Sequence, residues 1–265
     1  MRNQDPNIIN TNDKNNNNID DNYELENYYG DDYEIDEQIK EKLLNKGKKA
    51  TCRIILEKEK KIKGSGFFSI ITLNNNIKKK FLFTCNHVLD LENIELGNEI
   101  IIEYQKKKIK FNITNERFKI TNPNLDFTII EIFDKDNIEE FYEIDKNYYI
   151  ELENYYFEKK GAIIHYPLGY DIQINGGTIK KIENSKILHT ITTSPGSSGS
   201  PIFTLDNNYI IIGIHKGNNT TKEANGGFYM KYILEDIDKR YTQSFFNNKL
   251  GIVKLKKKKT KIKII

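Results

Sequence analysis

Residues Thr193-Ser-Pro-Gly-Ser-Ser-Gly-Ser-Pro-Ile-Phe203 set one serine, Ser198, beside glycines, with a proline three positions on and an apolar strand beyond. No other stretch constrains the chain as much. A serine hydroxyl attacks a carbonyl carbon only when a base removes its proton and fixed donors stabilise the oxyanion that forms. Gly196 lets the backbone turn so that its own N–H and that of Ser198 can point into one small space. Gly199 leaves room beside Ser198. Gly, Ser and Pro also write ordinary turns, so the loop by itself proves little.

Two other segments supply what such a serine needs. Phe81-Leu-Phe-Thr-Cys-Asn-His87-Val-Leu89 reads as an apolar strand ending in a histidine, and Asn124-Leu-Asp126-Phe-Thr-Ile-Ile-Glu-Ile132 puts an aspartate at the head of another. The order along the chain is His87, Asp126, Ser198. Chymotrypsin-type triads run in that order, whereas subtilisins run Asp-His-Ser and α/β-hydrolases Ser-Asp-His. The GxSxG elbow of the hydrolases fails, because position 200 is serine. Taken singly, His87 could be a strand-end histidine satisfied by a carbonyl, and Asp126 could merely open a strand after the Asn122-Pro123-Asn124 turn. Jointly they favour a triad. His165 and His189 have no partner in the motifs and read as ordinary core histidines.

From about residue 50 to 235 the chain resembles the trypsin-like serine proteases, and within them the glutamyl endopeptidase or V8-like branch. Gly64-Ser-Gly-Phe-Phe-Ser-Ile70, an Asn-rich hairpin and Phe81 to Leu89 resemble the paired strands that deliver the catalytic histidine. Ile163-Ile-His-Tyr-Pro-Leu-Gly169 and Gly176-Gly-Thr-Ile179 resemble the G-Y-P and G-x-I strands of the second barrel, with His165 in place of a glycine. Ile210-Ile-Ile-Gly-Ile-His215-Lys-Gly217 and Asn225-Gly-Gly-Phe-Tyr-Met230 resemble the two walls of the specificity pocket.

The resemblance implies His87 as general base and then acid, Asp126 as the group orienting it, and Ser198 as nucleophile. It implies an oxyanion hole from the Gly196 and Ser198 amides. Thr193, His215 and Gly217 would line the pocket for the side chain before the cut. A histidine with a hydroxyl suits a carboxylate or carboxamide better than an arginine, which would want a buried acid. Thr192 stands where trypsin has that acid. Glu and Gln both remain open, because viral 3C-type proteases also use a Gly-x-His strand, for glutamine. No metal or cofactor is implied. Glutamyl endopeptidases place a free amino terminus in the pocket, whereas some fifty residues precede the first strand here. Lys216 follows His215, where the family often has an aromatic, and reads as solvated or as a charge for the pocket.

The expected fold is all-β: two antiparallel six-stranded barrels with a C-terminal helix and a disordered N-terminal leader. Residues 1–46 form an acidic, Asn-rich leader, 47–135 the first barrel, 136–248 the linker, second barrel and helix, and 249–265 a lysine-rich tail. Strands are expected at Thr51–Leu56, Phe67–Thr72, Phe81–Thr84, Glu99–Tyr104, Ile109–Ile113 and Phe127–Ile132. The second set is Ala162–His165, Asp171–Ile174, Gly177–Ile182, Ile187–Thr192, Pro201–Thr204, Tyr209–His215 and Gly227–Lys231. Helices are expected over Asp36–Asn45, against the first barrel, and Ile233–Phe246.

Charge is uneven along the 265 residues, although the net is only +3. Residues 1–41 carry twelve acidic side chains against three basic, while Lys254–Lys263 contains seven lysines. That tail reads as a solubilising end or as a weak contact for nucleic acid or an acidic surface. The leader lacks the apolar core of a signal peptide, and no run reaches the ~20 apolar residues of a membrane span. Two cysteines, Cys52 and Cys85, make no disulfide framework and read as packed thiols, with Cys85 facing the same side as His87. A cytoplasmic or nuclear setting follows. The expected activity is a serine endopeptidase acting on protein or peptide after Glu, Asp or Gln. The competing expectation is a silent or latent protease-fold module that binds peptides. Nothing in the sequence fixes the oligomeric state.

Overall fold

The computed structural model describes residues 33–56, 61–74, 76–144, 155–206, 209–218 and 224–244. The leader up to residue 32, part of the expected linker and the lysine-rich tail lie outside the described residues.

The chain enters through helix α1, Glu37–Ala50, which starts where Asp36 accepts hydrogen bonds from the Gln38 and Ile39 amides at 3.0 and 3.2 Å. A carboxylate satisfies two of the orphan N–H groups of a first turn. Lys48 and Lys49 sit in the last turn, where the dipole favours cations. The helix is longer than expected and spans residue 46, so it joins the leader to the first strand without a break. It also lies against both halves of the molecule, not the first alone. Gly47 meets the second half, where an added Cβ would stand 2.8 Å from Ile164 Cγ2.

The first sheet is built from β1 (Thr51–Leu56), β2 (Lys61–Thr72), β3 (Lys78–Thr84), β4 (Glu99–Tyr104), β5 (Lys107–Asn112), β6 (Lys119–Asn122), β7 (Phe127–Glu131) and β8 (Tyr142–Ile144). It runs β5-β4-β1-β2-β3-β7-β6, with β8 parallel to β2 off that path. It is therefore an eight-stranded half-barrel, where six strands closing on themselves were expected. The two unexpected strands, β6 and β8, are short and carry charged or polar residues that dilute their alternation. The other six stand within a few residues of their expected positions, because β-branched and aromatic residues mark them.

The second sheet, by contrast, closes. Its strands β9 (Lys160–His165), β10 (Gln173–Glu183), β11 (Lys186–His189), β12 (Pro201–Thr204), β13 (Ile211–Asn218) and β14 (Asn225–Tyr229) form a six-stranded barrel in the order β10-β11-β14-β13-β12-β9. β10 is one strand where two were expected. The pair Gly176-Gly177 does not break it; the missing side chains admit neighbours. An added Cβ on Gly177 would lie 2.7 Å from the Ile191 amide nitrogen, and one on Gly176 would lie 2.5 Å from the Tyr33 carbonyl oxygen. Helix α2, residues 230–244, follows β14 directly and returns to the first sheet. There Asn122 Nδ2 donates to Asp236 at 2.8 Å and Tyr241 meets the Phe118 ring edge-on at 4.9 Å.

Tyr142 of β8 joins the halves. Its ring lies 5.3 Å from Phe203 in the closed barrel and 6.3 Å from Phe67 in the first sheet. Among the described residues no helix is long and apolar enough to cross a membrane.

Candidate active site

His87 lies not on a strand but in the turn after β3, where the Val88 and Leu89 amides donate to the Cys85 carbonyl at 3.2 and 3.1 Å. Thr128 of β7 fastens that turn by donating to the Leu89 carbonyl at 2.5 Å. Asp126 stands at the end of the turn that enters β7. Asn122 Oδ1 orders this turn by accepting the Asn124 and Leu125 amides at 3.0 and 3.2 Å. Asp126 itself takes a left-handed backbone, φ +42°. Aspartate tolerates that region better than most residues.

The two side chains meet. Asp126 Oδ1 accepts the His87 backbone amide at 3.1 Å, and His87 Nδ1 stands 3.1 and 2.9 Å from Oδ1 and Oδ2. The carboxylate is buried while the imidazole is about one-third exposed. Nδ1 therefore carries the proton and donates it to the carboxylate, leaving Nε2 as an acceptor on the exposed side.

Ser198 lies in the turn before β12, in the facing barrel. Its hydroxyl donates to the Lys216 carbonyl at 2.9 Å, and among the described residues no hydrogen bond joins it to the His87 ring. Gly196 adopts φ +92°, and an added Cβ there would lie 2.8 Å from the Tyr166 carbonyl oxygen. Among the described residues, neither the Gly196 nor the Ser198 amide donates to a backbone carbonyl. The loop around them is held by other bonds. Leu168 N–H donates to the Pro195 carbonyl at 2.6 Å, Ser197 N–H to Ser194 at 3.0 Å and Ser200 N–H to Ser197 at 3.1 Å.

His165 and His189 are buried as core histidines, but each has the motif partner that was not expected. His165 Nδ1 lies 2.7 Å from the Ser197 hydroxyl, which also accepts the Ser194 amide at 3.1 Å, so this histidine anchors the serine loop. His189 stands behind His215. The Ile191 amide donates to His189 Nδ1 at 3.2 Å, which puts the proton of this neutral ring on Nε2. That proton is given to His215 Nδ1, 3.2 Å away, and so the His215 proton sits on Nε2. His215 Nε2 is buried with no hydrogen-bond partner. Burial pushes His189 down to about 3 and His165 to about 4. His215 falls well below its ordinary value through burial first, then through its histidine neighbours. The sequence hid these links, because 26 and 32 residues separate the partners.

The remaining expected pocket residues are distributed as follows. His215 and Gly217 pair with Gly227 and Gly226 across β13 and β14, around a bulge, with Gly217 at φ +126°. Thr193 is buried at the start of the serine loop. Lys216 Nζ lies 3.9 Å from Asp126 Oδ2 and 5.6 Å from the Phe228 ring centre. Cys85 does approach the site. Its thiol, a His87 ring nitrogen and an Asp126 oxygen lie within 4.8 Å of one another, although Cys85 already donates to the His215 carbonyl at 3.1 Å. Two clefts, of about 750 and 610 Å³, have neither His87 nor Ser198 in their walls. The smaller runs from Tyr33–Ile35 to Thr192.

The two-sheet arrangement decides the fold. It is trypsin-like. The serine endoprotease from Yersinia pestis superposes with a TM-score of 0.54 at 13% identity, covering 78% of this chain and 67% of that one. Rv3671c from M. tuberculosis H37Rv, in the inactive form of a serine-to-alanine mutant, gives 0.54 at 13% over 79% of this chain and 96% of its own. At such identity the likeness shows the trypsin-like fold alone. No family model and no curated protein matches the sequence.

Proposed function

We propose that this chain is a serine endopeptidase working through His87, Asp126 and Ser198. The observation that carries the reading is the Asp126 carboxylate gripping both the amide and Nδ1 of His87 while Nε2 stays an acceptor. In the first step the Ser198 hydroxyl leaves the Lys216 carbonyl, gives its proton to His87 Nε2 and attacks the scissile carbonyl. Asp126 stabilises the imidazolium, and the Gly196 and Ser198 amides receive the oxyanion. His87 then protonates the leaving amine, and water cleaves the acyl-enzyme by the same route in reverse.

The side chain before the cut would meet the His215 wall. A buried, neutral Nε2–H with no partner is costly, and an acceptor oxygen of Glu, Asp or Gln would satisfy it. This supports the choice among Glu, Asp and Gln read from the sequence, and an uncharged donor suits Gln best. A second reading has its own observation: the Ser198 hydroxyl rests on Lys216 and not on His87, as a latent or silent peptide-binding module would keep it.

A fluorophosphonate probe separates the two. The expected result is stoichiometric labelling of the wild type at Ser198 and none in Ser198→Ala. A folded wild-type protein that binds peptides but resists the probe would establish the binding module instead.

A further inference from the structure

The serine loop belongs to the closed barrel, yet one residue of the other sheet holds it. Ser65, on β2, is fully buried and uses every polar group it has. Its N–H donates to the Ser198 carbonyl at 2.8 Å. Its hydroxyl donates to the Gly196 carbonyl at 2.7 Å and accepts the Tyr166 amide at 3.2 Å. Its own carbonyl accepts the Thr84 hydroxyl at 2.8 Å.

These bonds fall on particular peptide planes. Each peptide group is rigid, so fixing its C=O fixes the N–H that follows. Ser65 fixes the Gly196–Ser197 and Ser198–Gly199 planes. Between them lies the Ser197–Ser198 plane, which carries the Ser198 amide and whose own carbonyl accepts the Ser200 amide at 3.1 Å, so that Ser65 braces it from both sides. The Gly196 amide sits between the Ser65 bond on one side and the Leu168–Pro195 bond on the other. Contact here is close: a Cβ on Gly199 would fall 2.1 Å from the Ser65 carbonyl oxygen.

We propose that Ser65 is a positioning residue for the oxyanion hole, bracing from across the barrel interface the peptide planes next to those that carry the Gly196 and Ser198 amides. The inference rests on the peptidase reading and deepens it, because the hole then forms only while the two halves are docked. Ser69 is the matched control. It lies on the same strand, equally buried, and its hydroxyl donates to the Tyr142 carbonyl at 2.8 Å, away from the loop.

The experiment compares wild type, Ser65→Ala and Ser69→Ala by fluorophosphonate labelling rate and by amide hydrogen exchange over residues 194–199. Ser65→Ala is expected to label about 10²-fold more slowly. Its loop amides should exchange about tenfold faster: of the two hydrogen bonds the hydroxyl makes, the one to the Gly196 carbonyl holds the loop directly. With a cleaved peptide, the loss should fall on kcat and leave KM unchanged. Ser69→Ala should label and exchange in the loop like wild type. Should Ser65→Ala fail to fold by circular dichroism, Ser65→Cys replaces it, filling the space with a weak donor. Unchanged labelling and exchange in the Ser65 variant would overturn the proposal while leaving the peptidase reading intact. If the wild type itself does not label, that reading fails, and loop exchange alone decides whether Ser65 clamps the loop.

Discussion

Asp126 combines three demands in one position: a left-handed backbone, a buried carboxylate and two hydrogen bonds to His87. Asparagine tolerates the same backbone but brings no charge and offers an amide in place of one oxygen. Asp126→Asn should therefore fold with nearly the wild-type melting temperature while kcat drops about 10⁴-fold, measured on any cleaved peptide. A neutral His215 donor makes a second expectation. A Gln side chain enters as it is, whereas a Glu carboxylate must take up a proton to be equally at home beside an uncharged donor in a buried wall. The ratio of kcat/KM for Glu over Gln peptides should rise up to about tenfold for each unit the pH falls between 8 and 6. A flat ratio would mean that His215 becomes charged when substrate binds. At this scale His87, Asp126 and Ser198 were legible as candidates because each sits in its own local string, and the structure joins the first two. Ser65, His165 and His189 were not, since their meaning lies in partners far along the chain.

α1 is an element whose importance its composition concealed. The acidic, Asn-rich run before it suggested a leader, but Leu43, Gly47 and Ala50 are buried against both sheets. Leu43→Ala should cost about 2 to 5 kcal/mol in urea unfolding, the range for a buried leucine. A chain starting at Gly47 should lose folded signal altogether, whereas one starting at Asp36 keeps the cap and should label like the full chain. Equal stability of the two shortened chains would show that α1 adds nothing. The strands teach a related lesson. Isoleucine-rich runs marked β1 and β4 to the residue, and Pro-Ile-Phe-Thr after the serine loop marked β12. Two strands of the first sheet, β6 and β8, offered no such run, and Gly176-Gly177 looked like a break, because what packs over it comes from Tyr33 and Ile191.

Across the whole molecule, the site exists where two sheets dock, and three buried histidines sit beside that seam. His165 is lowered to about 4, His189 to about 3, and His215 well below 6.5. A group whose folded value is depressed below its unfolded one binds its proton more readily once unfolded. For a histidine the unfolded chain is the one favoured by acid. Stability is therefore full above about 6.5 and is lost as pH falls from there toward 4, at up to about 1.4 kcal/mol per pH unit for each histidine. Three such groups over one or two units remove up to about 4 to 8 kcal/mol, enough to unfold a domain at the lower end of the usual range of about 5 to 15 kcal/mol. The unfolding free energy from urea melts should thus decline steeply between pH 6.5 and 5, before most carboxylates titrate. His165→Asn should flatten that slope by about one proton, although it also loosens the loop through Ser197. A variant with the wild-type slope would show that His165 is already protonated in the folded protein. Ser198 labelling should then fail in acid together with the fold, at the same midpoint, and not before it.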